Sequence, residues 1–253
     1  MKFGSTAKNI NLLTLLVAIV AILGLLNTSM FTLSNILLSI GSFYILNILG
    51  IWMTLHRYYS HKSFNFRYLF LKYIFTLIAI LAGRGSPLGW VYLHRQHHAY
   101  SDTKKDPHSP KHLGYKLFGF QHYKKQEEHK MQLFLIKDMM SKTQLFIHKW
   151  YILVIATFVL LLAIINIETL YFGWILPVLF IQLSQSNFNY FGHTYGYTNY
   201  KIDDDSKNNL FLFPIILGEA WHNNHHSDPK NMSTTVRRFE LDPLSWFITL
   251  IKK

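Results

Sequence analysis

The chain has no cysteine. That absence excludes thiolate-ligated metals, iron–sulfur clusters and disulfide staples, and leaves any soft-donor chemistry to its 14 histidines. Charge is scarce too: 15% of residues are charged, whereas soluble domains carry about 25%. Lys and Arg are missing from 9–56 and from 150–200, the most apolar stretches of the chain. All 25 fall in three blocks, Lys2–Lys8, Arg57–Lys149 and Lys201–Lys253. A formal charge of +12 would point a soluble protein toward nucleic acid. Distributed this way it is instead the positive-inside pattern of a multi-span membrane protein, with no nucleic-acid partner and every basic segment cytoplasmic.

What is present is long apolar runs and clustered histidines. The composition predicts an all-α integral membrane protein with spans at about 10–26, 31–55, 150–165 and 170–188. These form two hairpins, with both termini cytoplasmic. The first run lacks a small-residue cleavage site and reads as a retained span rather than a signal peptide. The run 69–82 is short for a crossing, and a full crossing would separate His56 from His94, so an interfacial or re-entrant segment is expected there. From Tyr123 to Lys149 the mixture of charge and apolar residues suits a basic amphipathic helix on the headgroups. No repeat or linker marks a second domain, so residues 1–253 are expected to form one membrane domain with a helical cytoplasmic cap.

Four polar clusters fall at span ends on one side: His56/His61, His94/His97/His98, Asn189/His193 and His222/His225/His226. Positions i, i+3 and i+4 share a helix face, so each triplet is expected to present three imidazoles to one point. Two triplets hold more donors than one ion can use, which predicts two metal ions close together. His56 and His61 are less regular, because five residues on a straight α-helix turn a side chain by about 140°. They are expected either to flank two ions or to straddle a helix end. His108, His112, His122, His129 and His148 lack such partners and are expected at the surface or the headgroups. Glu219 is the expected carboxylate orienting an imidazole N–H, with Asp102, Asp106 and Asp228 as weaker candidates. A nitrogen-only donor set suits oxygen-activating iron, although imidazole also binds zinc, copper and nickel.

The order HRYYSH, HRQHH, Asn-x-x-x-His and GEAWHNNHH resembles the membrane fatty-acyl desaturases, in particular a bacterial-type member of the Δ9 acyl-CoA and acyl-lipid branch. The resemblance covers about Ile51 to Pro229. It implies a di-iron centre, O2 as co-substrate and insertion of a cis double bond into an acyl-CoA or acyl-lipid. It also implies two electrons from a separate ferredoxin or cytochrome b5-type donor with its reductase, and a place in the bacterial inner membrane. By matching position, the ligands would be His56, His61, His94, His97, His98, His193, His222, His225 and His226, with Asn189 acting through a water. Asn224 departs from the aromatic residue of many animal relatives, and Ala220 from a common glycine. Arg57, Arg95, Lys124, Lys125, Arg237 and Arg238 could attract coenzyme A phosphates, an anionic head group or an acidic electron donor, or could be solvated charges. Rival readings are a histidine-box hydroxylase of lipid, alkane or carotenoid, and a non-enzymatic metal or haem carrier.

Overall fold

A computed structural model describes the backbone over residues 4–114 and 133–253, with side chains from residue 11 onward. The elements are helical, and among the described residues β-structure is limited to isolated bridges such as Phe66 to Lys252. Helix α1 covers Gly4–Gly24 and α2 covers Leu33–Ser60. α3 is Leu69–Leu81, α4 Pro87–Tyr100, α5 Lys142–Ile165 and α6 Ile167–Phe191. Two short helices follow, α7 at His222–Ser227 and α8 at Pro243–Ile251.

Three helices, α2, α5 and α6, are long and apolar enough to cross a membrane; the described apolar part of α1, Asn11–Gly24, is shorter. α5 turns Ile152, Leu153, Leu160, Leu161, Ile164 and Ile165 outward. An apolar surface of that extent is stable only against lipid. The expected amphipathic helix over 123–149 is not what the described part shows. Residues 133–139 form a 3-10 segment, Ser141 caps α5 by accepting from Gln144 N–H at 3.2 Å, and 142–149 belong to the apolar helix. The remainder of that stretch lies outside the described residues.

α3 and α4 both pack against α2. Gly50 lets the α3 backbone approach α2 so closely that an added Cβ would stand 3.0 Å from Ile78 O. Gly50→Val is therefore expected to cost about 1–3 kcal/mol by overpacking, read as a lower thermal midpoint in detergent. At its start α3 is tied to the C-terminus, Arg67 N–H donating to Ile251 O at 2.8 Å. At its far end Leu81 O accepts from Trp174 Nε1 at 2.9 Å, within α6. Gly83 and Gly85, both at positive φ, turn the chain into α4. Ser86 caps α4 by accepting from Gly89 N–H at 3.1 Å, and Pro87 fills its first position.

The lower part of α2, Ile45–Ser60, is wound as a π-helix. Its backbone bonds reach five residues back, as from His61 N–H to His56 O at 3.1 Å, and the Ser60 hydroxyl adds a side-chain bond to Leu55 O at 2.8 Å. This winding stacks residues five apart and brings the His56 and His61 rings to 4.8 Å. The two histidines straddle the end of α2, His61 being its C-cap, and join one cluster rather than flanking two. Arg95 stabilises the end of α2, donating to Tyr59 O and Ser60 O at 2.8 Å each, and to Leu135 O and Asp138 across the 3-10 segment.

Candidate metal centre

Nine histidines gather from the C-terminal end of α2, the second half of α4, the turn after α6 and the whole of α7. His56, His61, His94, His98 and His225 form one group and His97, His193, His222 and His226 a second, with donor atoms in each group within 4.8 Å of one another. In the first, Nε2 atoms face each other at 2.7 Å for His61 and His94, 3.0 Å for His56 and His225, and 3.1 Å for His98 and His225. In the second, the Nε2 atoms of His193 and His222 lie 3.0 Å apart. The groups adjoin, the His98 and His226 rings being 4.3 Å apart.

Each triplet divides between the groups instead of aiming at one point. His94 and His98 go to the five-histidine group and His97 to the other, whereas His222 and His226 go to the four-histidine group and His225 to the five. At 3.6 residues per turn, i and i+4 differ by about 40° while i+3 falls about 60° to the other side. One helical turn can therefore serve two adjacent ions.

The outward nitrogens explain why the inward ones are free to coordinate. His97 Nδ1 lies 3.0 Å from Asp106, His193 Nδ1 2.9 Å from Asp102, His226 Nδ1 2.6 Å from Asp204 and His56 Nδ1 3.0 Å from Glu219. A carboxylate at Nδ1–H fixes the tautomer that presents the Nε2 lone pair. Burial, and then neighbouring imidazoles, depress the pKa of His61, His94, His98, His222 and His225. His226 is brought down to about 4, burial outweighing Asp204. These rings are neutral, the form that binds cations. For His97 burial also opposes charge, but Asp106, Asp102 and Asp204 outweigh it and raise its basicity. His226 Nε2 is buried without a hydrogen-bond partner among the described residues. A pure nitrogen set with an orphaned, inward-facing donor fits a pair of bound metal ions.

Of the expected carboxylates, Glu219, Asp102 and Asp106 all stand behind histidines of the two groups, and Asp228 is exposed and forms no ion pair with a histidine among the described residues. Asp102 adopts φ +58°, a left-handed conformation that Asp tolerates, and so faces His193. Asp204 was not assigned from the sequence; its signal was the acidic run 203–205. His108 is not at the surface: it is buried beside His97, rings 5.6 Å apart, with its pKa pushed down to about 3 by burial and then by His97. His148 is half-buried against Ser86 Oγ at 2.5 Å, His112 is exposed, and His122 and His129 lie outside the described residues. Asn189 borders the pocket that His94, His97 and His222 also line.

Two of the six basic residues considered for anion attraction are committed internally. Arg57 is buried between Glu219 and Asp242, and Arg95 holds the end of α2. Arg237 lies 4.6 Å over the Tyr197 ring and donates to Asn199, Arg238 is exposed, and Lys124 and Lys125 lie outside the described residues. Asn224 uses its full hydrogen-bonding capacity. It accepts from Asn199 and Asn208 at 2.8 Å each and donates to Thr234 O at 2.8 Å and Glu240 at 3.0 Å, fixing α7 between its neighbours.

The family model described as fatty acid desaturase matches residues 33–248, a span that contains all nine histidines. The chain belongs to the fatty acid desaturase family. It is 31% identical to Delta-9 acyl-lipid desaturase 2 of Arabidopsis thaliana, over 81% of this chain and 68% of that protein. It is 29% identical to the sn-2 palmitoyl-lipid 9-desaturase of Nostoc sp. (strain 36), over 91% of this chain and 82% of that one. A third relative, 26% identical over 78% of this chain and 68% of its own length, is the hex-5-enoyl-[acyl-carrier protein] acetylenase of Moorena producens (strain JHB).

Proposed function

We propose that this membrane desaturase inserts a cis double bond at the Δ9 position of a saturated acyl chain carried on a membrane lipid. The observation that carries this reading is the pair of adjoining all-imidazole groups at the ends of apolar helices in a chain of this family. The Δ9 position and the lipid carrier rest on the names of the relatives, acyl-CoA being the rival carrier. The reaction consumes O2, two electrons and two protons, removes two hydrogens from adjacent carbons, and releases two waters. A separate ferredoxin or cytochrome b5-type protein supplies the electrons.

The nine histidines would hold two iron ions, with Asn189 reaching the four-histidine group through a water. When bound, the iron pair supplies the reduction of O2 that drives hydrogen removal. The protein's own part is to keep the site dry and hold the acyl chain against it. Trp90 stacks on His94 at 4.8 Å, Trp52 meets His56 edge-on at 5.3 Å, and Phe188 packs on His222 at 4.6 Å. These aromatic faces form an apolar wall beside both groups, suited to an alkyl chain and hostile to water. Asp102, Asp106 and Asp204 hold the imidazole N–H protons of His193, His97 and His226 at Nδ1, so their geometry is set before substrate arrives.

The proposed topology is one membrane domain in the bacterial inner membrane, with α1, α2, α5 and α6 as spans and the histidines and both termini cytoplasmic. The hairpin of α3 and α4 dips in without crossing: thirteen residues reach about 20 Å, and the His61 and His94 nitrogens meet at 2.7 Å. Because the native chain has no cysteine, single introduced cysteines report topology without background. Ser29→Cys, in the exposed turn between α1 and α2, is expected to react with an impermeant maleimide in intact cells, and Lys230→Cys is not. The reverse labelling would overturn this orientation.

Function is tested by expressing the chain in a host that lacks unsaturated fatty acids and analysing its lipids by mass spectrometry. A mono-unsaturated product with the alkene at carbon 9 is expected. A hydroxylated product without alkene would assign the protein to the hydroxylases, and no product together with a tightly bound haem spectrum would assign it to the carriers. Supplying the acyl group in vitro as glycerolipid or as acyl-CoA decides the carrier.

A further inference from the structure

We propose that the two histidine groups are electrostatically unequal, so that the four-histidine group holds its metal more tightly and releases it last. This inference rests on reading the groups as a dimetal centre. In the four-histidine group three ligands are backed by carboxylates: His97 by Asp106, His193 by Asp102 and His226 by Asp204. Neutral donors hold those carboxylates in place. Asp106 accepts from the backbone N–H groups of Asp102 and His108, Asp102 from Asp205 N–H and Ser109 Oγ, and Asp204 from Ser206 N–H. No Lys or Arg among the described residues forms an ion pair with any of the three.

The five-histidine group differs. Among the described residues His56 is its one member in an ion pair with a carboxylate, Glu219. Glu219 is itself bound by the buried Arg57, whose Nε lies 2.6 Å from Oε1, and the same guanidinium reaches Asp242 at 3.0 Å. Three carboxylates without a Lys or Arg ion-pair partner among the described residues thus back one group, while the single carboxylate of the other shares one guanidinium with Asp242. Buried charges of this kind are poorly screened.

A carboxylate on Nδ1–H raises imidazole basicity, and each such partner is worth about 10- to 100-fold in metal affinity. Two additional backed ligands therefore favour the four-histidine group by about 10²- to 10⁴-fold. Against this the five-histidine group sets one further donor, which is neutral. The charge difference dominates because it acts on the cation itself as well as through the ligands.

The test is stepwise chelation of the full-length protein in detergent, loaded anaerobically with Fe2+ and titrated with a ferrous chelator, with the iron remaining per chain measured by mass spectrometry. Release is expected in two steps with a plateau at one iron per chain. Asp204→Asn should weaken the late step by about 10- to 100-fold and leave the early step in place; Glu219→Gln should move only the early step. If Glu219→Gln does not fold, the wild-type titration and Asp204→Asn still decide. Loss of both irons in one step, or an Asp204→Asn change confined to the early step, overturns the inequality while leaving the dimetal reading intact. A folded chain that takes up no iron overturns both.

Discussion

His225→Ala is expected to abolish desaturation, lowering turnover by more than about 100-fold. His225 is the hub of the five-histidine group, its Nε2 lying 3.0 Å from that of His56 and 3.1 Å from that of His98. It is also the member of the last triplet that crosses to that group, while His222 and His226 serve the other. Its removal leaves that group four imidazoles, and alanine supplies no donor in place of the fifth. Desaturated lipid per mole of folded protein and bound iron per chain should fall together. Undiminished turnover would mean that the converging imidazoles do not form the reactive centre.

Arg57→Ala is expected to have the largest effect on stability, about 3–5 kcal/mol. The guanidinium is buried and makes 2.6 Å and 3.0 Å ion pairs to Glu219 and Asp242, and a 2.8 Å bond to Met232 O. Asp242 in turn caps α8 through Ser245 N–H at 3.1 Å and accepts from Thr234 N–H at 3.1 Å. Removing the cation leaves two buried carboxylates uncompensated and frees the C-terminal helix from the metal centre. The checks are the thermal midpoint in detergent and the recovery of monodisperse protein. Arg57→Lys should recover only part of the loss, since an ammonium cannot span both carboxylates and the carbonyl with the same fork. An unchanged midpoint for Arg57→Ala would contradict the role of this network.

The histidine clusters and the apolar runs were legible from residue spacing and charge distribution because those signals are local. The division of each triplet was present in the same spacing, but the 60° offset of i+3 becomes meaningful only when two ions sit side by side. The pairing of His56 with His61 could not be read on α-helical geometry, since it depends on a π-wound stretch from Ile45. Asp204 and His226 are 22 positions apart, and the turn that joins them at 2.6 Å has no periodic signature. Arg57 and Arg95 look like solvated charges in the sequence. Only the return of the C-terminal segment and of the 3-10 segment over α2 shows that both are consumed inside the fold.

Iron K-edge X-ray absorption of the loaded protein tests the central claim most directly. Nine imidazoles shared by two ions give between four and five per iron. The multiple-scattering pattern of imidazole should therefore dominate the spectrum, with an all-light-atom first shell. A shell dominated by carboxylate oxygen with only one or two imidazoles per iron would contradict the account.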